Sequence, residues 1–386
     1  MTFFSTLKQR GLIKQSTHED QISDLLEDKC TFYIGFDPTA DSLHVGHLMQ
    51  IIFAKRLIER GHQGIMLVGD ATAQIGDPTG RSSVRPILTQ EQLDHNVTAI
   101  EKQLQSMLPT ARMVNNLSWV NCFTFLGFMK EIGSCFSVNS MLKADCFSSR
   151  MANGLSFLEF SYMLFQAADF LHLNTQHDCR LQIGGDDQWS NILAGVELIH
   201  KKNHKQSFGM TIPLLLNSNG EKIGKTVNGA IWLDPKKTSI LDFFQFWRNI
   251  PDTDVKNCLL FMTDFTEDQI NNWGINEAKV QLAKSITGFV HGTANADLIA
   301  DQVFEIFDKN FDGLTPTIID DGVLLIDVIC SVDFATSKNK ARQLIIGGGI
   351  TLDGKKITDV NIKLINQGKE IILCKGKKHF AKLKFR

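Results

Sequence analysis

The chain reads TFYIGF at 31–36, a short β-favouring run, then the polar stretch DPTADSLHVGH, then LMQIIFAKRLIERG. The apolar residues of that last stretch recur at helical spacing and stop at Gly61. IMLVGD (65–70) follows as a second apolar run of strand length. Strand, polar loop, helix, strand is a βαβ unit, which predicts a parallel sheet with ligands gathered at the carboxyl ends of its strands. The order recurs in CRLQIGGDDQWSNILAGVELIHK, where LQIGG reads as a strand and SNILAGVELIHK as a helix. Both polar clusters therefore fall where such a sheet places its site.

From Ser239 to Asp312 the pattern is helical, with short turns at Ile250-Pro251 and Asn271-Asn272 and little strand signal. After Pro316 it changes again. VLLIDVICSV reads as a helix, Ser337 is a plausible N-cap for KNKARQLIIGGG, and ITLDGKKI holds an Asp353-Gly354 turn between strand-like runs. The expectation is an α/β chain: a parallel-sheet domain over 1–235, a helical domain over 236–318 and a small α+β domain over 320–386. A length of 386 residues fits two or three domains at roughly 150 residues each.

Composition adds bounds. Hydrophobic residues at 43%, charged residues at 21% and a net charge of −2 describe an ordinary globular chain and exclude a disordered or disulfide-stapled one. The eight Cys contain no CxxC pair, which favours buried thiols over a zinc or disulfide framework. No apolar run approaches the roughly 20 residues that span a bilayer, and the start MTFFSTLKQRGL lacks the apolar core of a signal peptide. A cytoplasmic protein without membrane contact is expected. The near-neutral total hides a split, because residues 321–386 carry +7 and the first 320 carry −9. A basic terminal module on an acidic body suggests a polyanion partner, although a solvated lysine-rich surface explains the charge equally well. There are also 27 Phe against two Tyr, Tyr33 and Tyr162.

Three stretches carry candidate chemistry. His44-Val45-Gly46-His47 opens a helix, where backbone N–H groups and the helix dipole favour an anion and two imidazoles can donate to a phosphate. It lacks the third ligand a metal site needs. GEKIGKT (220–226) approaches a phosphate loop, but a helix should follow and VNGAIWLD reads as strand. Two Lys three residues apart still suit a clamp on a triphosphate. Tyr162, Gln166 and Asp169 stand at i, i+4 and i+7, so one helix face presents three polar groups among apolar neighbours. That stripe is either a solvated face or one wall of a pocket.

Taken in order, Tyr33, Gly35, Asp37 and Thr39 leading into HVGH, then GDPTGR (76–81), EFSYMLFQAADF (159–170), QIGGDDQWSNI (182–192) and KIGKT resemble the motifs of tyrosyl-tRNA synthetase, a class I aminoacyl-tRNA synthetase. The resemblance runs from RGLI (10–13) to the C-terminus, where TSKNKARQLIIGGGITLDGKKITD is similar to the S4-type RNA-binding module of bacterial members. It implies a Rossmann-like catalytic domain, a helical anticodon-binding domain and an S4-like domain over the three expected spans. It also implies that His44, His47, Lys222 and Lys225 stabilise the transition state. Gly35, Asp37, Thr39, Gly46, Gly185, Asp187 and Thr226 would surround ATP, with Asp187 accepting from the ribose. Tyr162, Gln166, Asp77 and Gln188 would hold the amino acid's polar end, and Tyr33 and Asp169 its phenolic hydroxyl. Ile34 and Gln50 depart from the Cys and Thr of some relatives.

By the same resemblance the substrates are L-tyrosine, ATP with Mg²⁺, and tRNA(Tyr), with no built-in cofactor or metal. Lys338, Lys340 and Arg342 are the candidate tRNA contacts, and a homodimer is expected. Phenylalanine would leave two buried polar groups unpaired, and this family is the standard worked case of such rejection without editing. The competing readings are a tryptophanyl-type synthetase, another nucleotidylyltransferase with HxGH chemistry, or a catalytically silent RNA-binding paralogue.

Overall fold

The computed structural model describes residues 2–79, 88–151, 154–218, 220–226, 229–307, 314–353, 355–366, 368–376 and 379–386, without the side chains of 148, 149, 225, 226 and 302–307. The chain divides into two compact units, Met1–Ala296 and Asp297–Arg386.

The first unit is built on a six-stranded sheet of β1 (Gln15–Ser16), β2 (Thr31–Phe36), β3 (Gln63–Val68), β4 (Arg112–Asn115), β5 (Cys179–Gly185) and β6 (Phe208–Ile212). Their order is β1-β6-β5-β2-β3-β4, parallel except for the antiparallel edge pair β1 and β6. The chain runs outward from β2 through β3 to β4, then returns to β5 and runs the other way to β6. The direction therefore reverses between β2 and β5, the switch point at which a doubly wound sheet opens a crevice. Pairing of β2 with β5 stops at Tyr33 and Gln182, while β2 stays bonded to β3 as far as Phe36 and β5 to β6 as far as Gly185.

Helices cover this sheet, and their starts are set by local capping. Ser156 and Glu159 form a capping box that launches Phe157–His177, which ends where Asp178 takes a left-handed conformation. Phe170 and Leu173 of that helix pack with the Tyr33 ring, Ile65 and Leu67 in a buried hydrophobic cluster. The helix Leu48–Glu59 follows a 3₁₀ turn, Val45–His47, and Gly61 after it has a positive φ of 95°. IMLVGD is strand only to Val68, because Gly69 leaves the sheet and Asp70 begins the short helix Asp70–Ile75. Past Ser239 the helices Ile240–Arg248, Asp252–Met262, Glu267–Asn272 and Ile275–His291 follow, so the break expected at Asn271-Asn272 falls at Trp273-Gly274.

The second unit has a five-stranded sheet ordered Lys355–Ile357, Ile350–Leu352, Ile371–Lys375, His379–Phe385 and Thr317–Ile319. Two helices, Leu325–Ser331 and Lys338–Ile346, pack Leu325, Ile329, Ala341 and Ile345 against Leu373 and Leu383. Ser337 caps the second helix by accepting from the Lys340 N–H, as its sequence implies. VLLIDVICSV is helical only from Leu325, because Val323–Leu324 pairs with Lys363–Leu364. Among the described residues no helix is long and apolar enough to cross a membrane, and all eight cysteines are free.

Candidate active site

A cavity of about 550 Å³ opens where β2 and β5 part. Tyr33 and Gly35 of β2, Gln182 and Gly184 of β5, the loop Asp37–Thr39, the HVGH turn, Thr72, Asp77, Thr79, Asp187, Gln188 and Lys222 line it. Tyr162, Gln166 and Asp169 line it too, so the polar stripe of the Phe157–His177 helix faces inward.

The buried end is formed by Tyr33, 1% exposed, and Asp169, 2% exposed. Asp169 Oδ1 accepts the Trp119 Nε1–H at 2.8 Å and its Oδ2 accepts from Asn116 Nδ2 at 3.0 Å. Asn116 is itself fixed, its Oδ1 accepting the Ala71 N–H at 2.8 Å, and the Trp119 ring stacks on His172 at 4.3 Å. Burial pushes the Asp169 carboxyl up to about 7 despite these two donors, with the Asp37 charge adding to the rise. Burial likewise holds Tyr33 well above the usual phenol range, so it stays a neutral O–H. The Tyr33 hydroxyl has no hydrogen-bond partner within the protein.

Further along, the Tyr162 hydroxyl donates to Asp37 Oδ2 at 2.8 Å, and Asp37 Oδ1 accepts from Thr72 at 2.8 Å. Gly69 is needed there, since a Cβ would lie 2.1 Å from Asp37 Oδ1. Gln188 Nε2 donates to Asp77 Oδ2 at 2.8 Å, and Asp77 Oδ1 accepts the Thr79 N–H at 2.9 Å. Gln166 Oε1, Gln182 Oε1 and Thr79 Oγ1 are buried without a protein partner. An unpaired buried polar group costs about 1–3 kcal/mol, so a concentration of four around one cavity marks a surface shaped for a polar ligand.

At the open end, His44 Nδ1 accepts the Gly46 N–H at 3.0 Å and His47 Nδ1 accepts the His44 N–H at 3.2 Å. A nitrogen that accepts an N–H carries no proton, so each neutral ring carries its proton on Nε2. Lys222 Nζ pairs with Asp187 Oδ2 at 3.1 Å. The HVGH and KIGKT segments are joined through backbone: Val45 N–H donates to Ile231 O at 2.9 Å and Ile231 N–H to Gly224 O at 3.0 Å. Gly224 has φ +99°, and a Cβ there would meet Val45 at 3.0 Å, so the turn between the two lysines requires glycine.

Gly184 lines the cavity, whereas Gly185 sits where a Cβ would press Asp187 Oδ1 at 2.9 Å and Leu214 at 3.0 Å. Gln50 is on the wall, and Ile34 is fully buried. Among the described residues of VNGAIWLD, read as a strand, Gly229–Ala230 pairs with Lys225–Thr226 and Trp232 forms a single bridge to His44. The side chains of Lys225 and Thr226 and all of Gly80-Arg81 lie outside the described residues. Lys338, Lys340 and Arg342 are exposed in the second unit on the Lys338–Ile346 helix, Lys338 and Arg342 on one face and Lys340 on the opposite side. Asn116, Trp119 and Thr72 were not legible in the sequence, because none belongs to a motif and each is aimed by a distant strand or helix. Gln182 heads the QIGGDDQWSNI motif, but its place on the cavity wall is set by β5. Among the described residues no group of three or more His, Cys, Asp or Glu is placed to hold a metal ion.

The family model for tRNA synthetases class I (W and Y) matches residues 26–308, and that for the tyrosine–tRNA ligase SYY-like C-terminal domain matches 307–383. The tyrosine–tRNA ligase of Clostridium botulinum is 44% identical over 400 residues, covering 98% of each chain. That of Clostridium kluyveri is 43% identical over 399 residues with the same coverage. A C-terminally truncated mitochondrial tyrosyl-tRNA synthetase from Aspergillus nidulans superposes with a TM-score of 0.71 at 28% identity, covering 79% of this chain and 94% of that one. The tryptophanyl-tRNA synthetase of Encephalitozoon cuniculi, at 0.55 and 14% identity over 80% of this chain and 89% of that one, shares the fold.

Proposed function

Because the chain belongs to the class I tyrosine–tRNA ligase family, we propose that its cavity holds the tyrosine phenol at the buried end and ATP at the open end. The chain is an ATP-dependent aminoacyl-tRNA synthetase: it activates L-tyrosine to tyrosyl-adenylate plus pyrophosphate, then passes tyrosyl to the 3′ end of tRNA(Tyr).

The observation that carries the tyrosine assignment is the pairing of a neutral buried O–H, Tyr33, with a buried carboxyl, Asp169, in one cavity. A phenol accepts from the first and donates to the second. Phenylalanine does neither: the Tyr33 hydroxyl then stays buried and unpaired, and the desolvated Asp169 loses the phenol's hydrogen bond. ATP–pyrophosphate exchange with tyrosine, tryptophan and phenylalanine tested separately checks this: tyrosine alone should support exchange, and a response to tryptophan alone overturns the assignment.

In the activation step the tyrosine carboxylate forms a bond to the α-phosphorus as pyrophosphate leaves. No protein nucleophile is needed, so the chain's work is positioning and charge stabilisation. His44 and His47 offer Nε2–H donors to the phosphate. Lys222 and Lys225 offset the charge on the leaving pyrophosphate, with Thr226 beside them. Asp187 accepts from the ribose, while Gly35, Asp37, Thr39, Gly46 and Gly185 shape the nucleotide's surroundings. Tyr162, Gln166 and Asp77 surround the ammonium group, and Gln188 lies against the amino acid. Mg²⁺ arrives with the triphosphate as part of the substrate. The present Lys222–Asp187 pair then exchanges its partners, the lysine for phosphate and the carboxylate for ribose hydroxyls.

Asp169 gives the site a pH dependence. Its ionised form can accept from Trp119, Asn116 and the phenol together, whereas a proton on it competes with those donors. Its pKa of about 7 means that protonation opposes tyrosine binding as pH falls through neutrality. Tyrosine affinity, measured by equilibrium dialysis without ATP, should weaken toward about tenfold per pH unit below 7 and level off above it. A flat profile between pH 5.5 and 8 contradicts the role.

Tyr33→Phe should separate stability from selectivity. It removes a buried hydroxyl with no protein partner, so the thermal midpoint should rise, by an amount matching about 1 kcal/mol. The tyrosine-over-phenylalanine preference in exchange should fall at the same time. A lowered midpoint would mean that the hydroxyl is satisfied in solution.

The division into a catalytic domain (1–235), a helical anticodon-binding domain (236–318) and an S4-like RNA-binding domain (320–386) is part of the same proposal, supported by the basic charge of the last segment. Lys338, Lys340 and Arg342 contact tRNA phosphates, with Lys338 also paired to Asp327 at 2.6 Å. Reversing all three to Glu should weaken tRNA charging and reduce its logarithmic salt slope by about 2 to 3, with pyrophosphate exchange unaffected. Loss of both activities would mean a folding defect.

A homodimer belongs to the proposal as well. Phe125 is 75% exposed and Phe157 66%, and Leu126, Val138 and Leu158 are exposed in the same stretch, more apolar surface than a lone subunit gains from. Gel filtration should give a mass near twice 43.3 kDa. A cytoplasmic location accords with eight free thiols, five of them buried.

A further inference from the structure

The KIGKT loop is tied down at one point away from the cavity. In its approach the described residues 215–218 and 220–223 pair as a tight hairpin: Ile223 N–H donates to Leu215 O at 2.8 Å, Asn217 N–H to Glu221 O at 2.8 Å and Gly220 N–H to Asn217 O at 2.9 Å. The tip of that hairpin is held by the first turn of the Asp252–Met262 helix. Asp254 Oδ1 accepts the Ser218 N–H at 2.9 Å, and Thr253 Oγ1 donates to Ser218 Oγ at 3.3 Å. Asp254 is 5% exposed, and its Oδ2 has no hydrogen-bond partner in the protein.

The far end of the same helix is fixed too. Arg56, on the helix that HVGH opens, donates from Nη1 to Phe261 O at 2.7 Å and from Nε to Asp264 Oδ1 at 2.8 Å. Arg10 donates to Leu260 O at 2.8 Å and Thr263 O at 2.7 Å. One helix is therefore clamped to the HVGH element at its C-terminus and holds the KIGKT hairpin at its N-terminus. A carboxylate at a helix start is stable there while exposed, whereas burying one with an unpaired oxygen costs stability and calls for an explanation.

We propose that Asp254 is a positioning residue that sets the reach of Lys222 by anchoring the Ser218 tip of the hairpin to the Asp252–Met262 helix. Ser218 and Lys222 belong to one internally bonded hairpin, so a displaced tip carries the lysine with it. Asp254 touches neither substrate, and it acts only through the loop. This rests on the reading of Lys222 as part of the triphosphate clamp.

The test compares Asp254→Ala with Asp254→Asn in the full-length protein by pyrophosphate exchange, resolving kcat and the KM for ATP and for tyrosine. Asp254→Ala should lower kcat/KM for ATP by about 10- to 100-fold, the range for misplacing a positioning group, and leave the tyrosine Kd within twofold. Asp254→Asn keeps an acceptor for the Ser218 N–H and should retain most of the activity. Should Asp254→Ala fail to fold, Ser218→Pro removes the donor from the exposed side of the same bond and should show the same selective loss. An effect below twofold on ATP, or an equal loss of tyrosine binding, overturns the proposal. Lys222→Ala is the reference: if it too leaves kcat unchanged, the clamp reading has failed, whereas a damaging Lys222→Ala beside a neutral anchor variant rejects the anchor alone.

Discussion

Replacing Asp169 with alanine is expected to lower kcat/KM for tyrosine in pyrophosphate exchange by about 10³-fold while leaving the KM for ATP nearly unchanged. The carboxylate is the acceptor for the phenol, and each of its oxygens already takes one donor, from Trp119 and from Asn116. Truncation therefore removes a charged hydrogen bond to substrate and also leaves two buried donors without acceptors. Together these amount to about 4 kcal/mol, and each 1.36 kcal/mol is a factor of ten. Asp169→Asn is not a mild version. An amide has one acceptor oxygen, so its NH₂ must face either the indole N–H or the Asn116 amide, donor against donor. An alanine variant that activates tyrosine normally and still rejects phenylalanine would remove Asp169 from the specificity site.

The second large effect is expected at HVGH. His44→Ala and His47→Ala should each lower kcat for exchange by about 10²- to 10³-fold, the scale for losing one donor to a charge that grows in the transition state, with tyrosine affinity little changed. The reason is geometric. Both Nδ1 atoms accept backbone N–H groups, so both rings are held in place with their N–H on Nε2. Both variants should also lose stability, because the two rings cap the same turn reciprocally and losing a cap costs about 1 kcal/mol. His44→Asn supplies a cap acceptor and an amide donor, so it should recover the thermal midpoint and part of kcat. Stopped-flow measurement of adenylate formation separates these effects, and a fall in tyrosine affinity as large as the fall in rate would contradict the assignment.

Much of this was legible in the chain. Short apolar runs marked β2, β3 and β5, and helical spacing of apolar positions marked the helix that follows β2 and the one that follows β5. Strands buried on both faces are apolar throughout, while a helix buried on one face repeats every 3.6 residues. The Ser156/Glu159 and Ser337 caps worked at close range and needed nothing distant. The motif residues His44, His47, Asp187, Gln188 and Lys222 stand together on one cavity wall, with Tyr33, Tyr162, Gln166 and Asp169 at its buried part. The two tyrosines among 27 phenylalanines occupy that cavity, one hydroxyl bonded to Asp37 and the other unpaired.

What the sequence by itself determined, then, was which elements form and which residue types carry chemistry, because periodicity, capping and glycine conformation are local properties. Tertiary structure alone decided what those residues face. Tyr162, Gln166 and Asp169 could equally have met solvent, until pairing of β2 with β5 ended at Tyr33 and Gln182 and opened the crevice toward them. The partners that set their chemistry are remote in sequence: Asn116 and Trp119 lie 53 and 50 residues from Asp169, Asp37 lies 125 from Tyr162, and Asp254 lies 36 from Ser218. Desolvation and hydrogen bonding depend on everything that packs within a few ångströms, and only the folded chain brings those groups together.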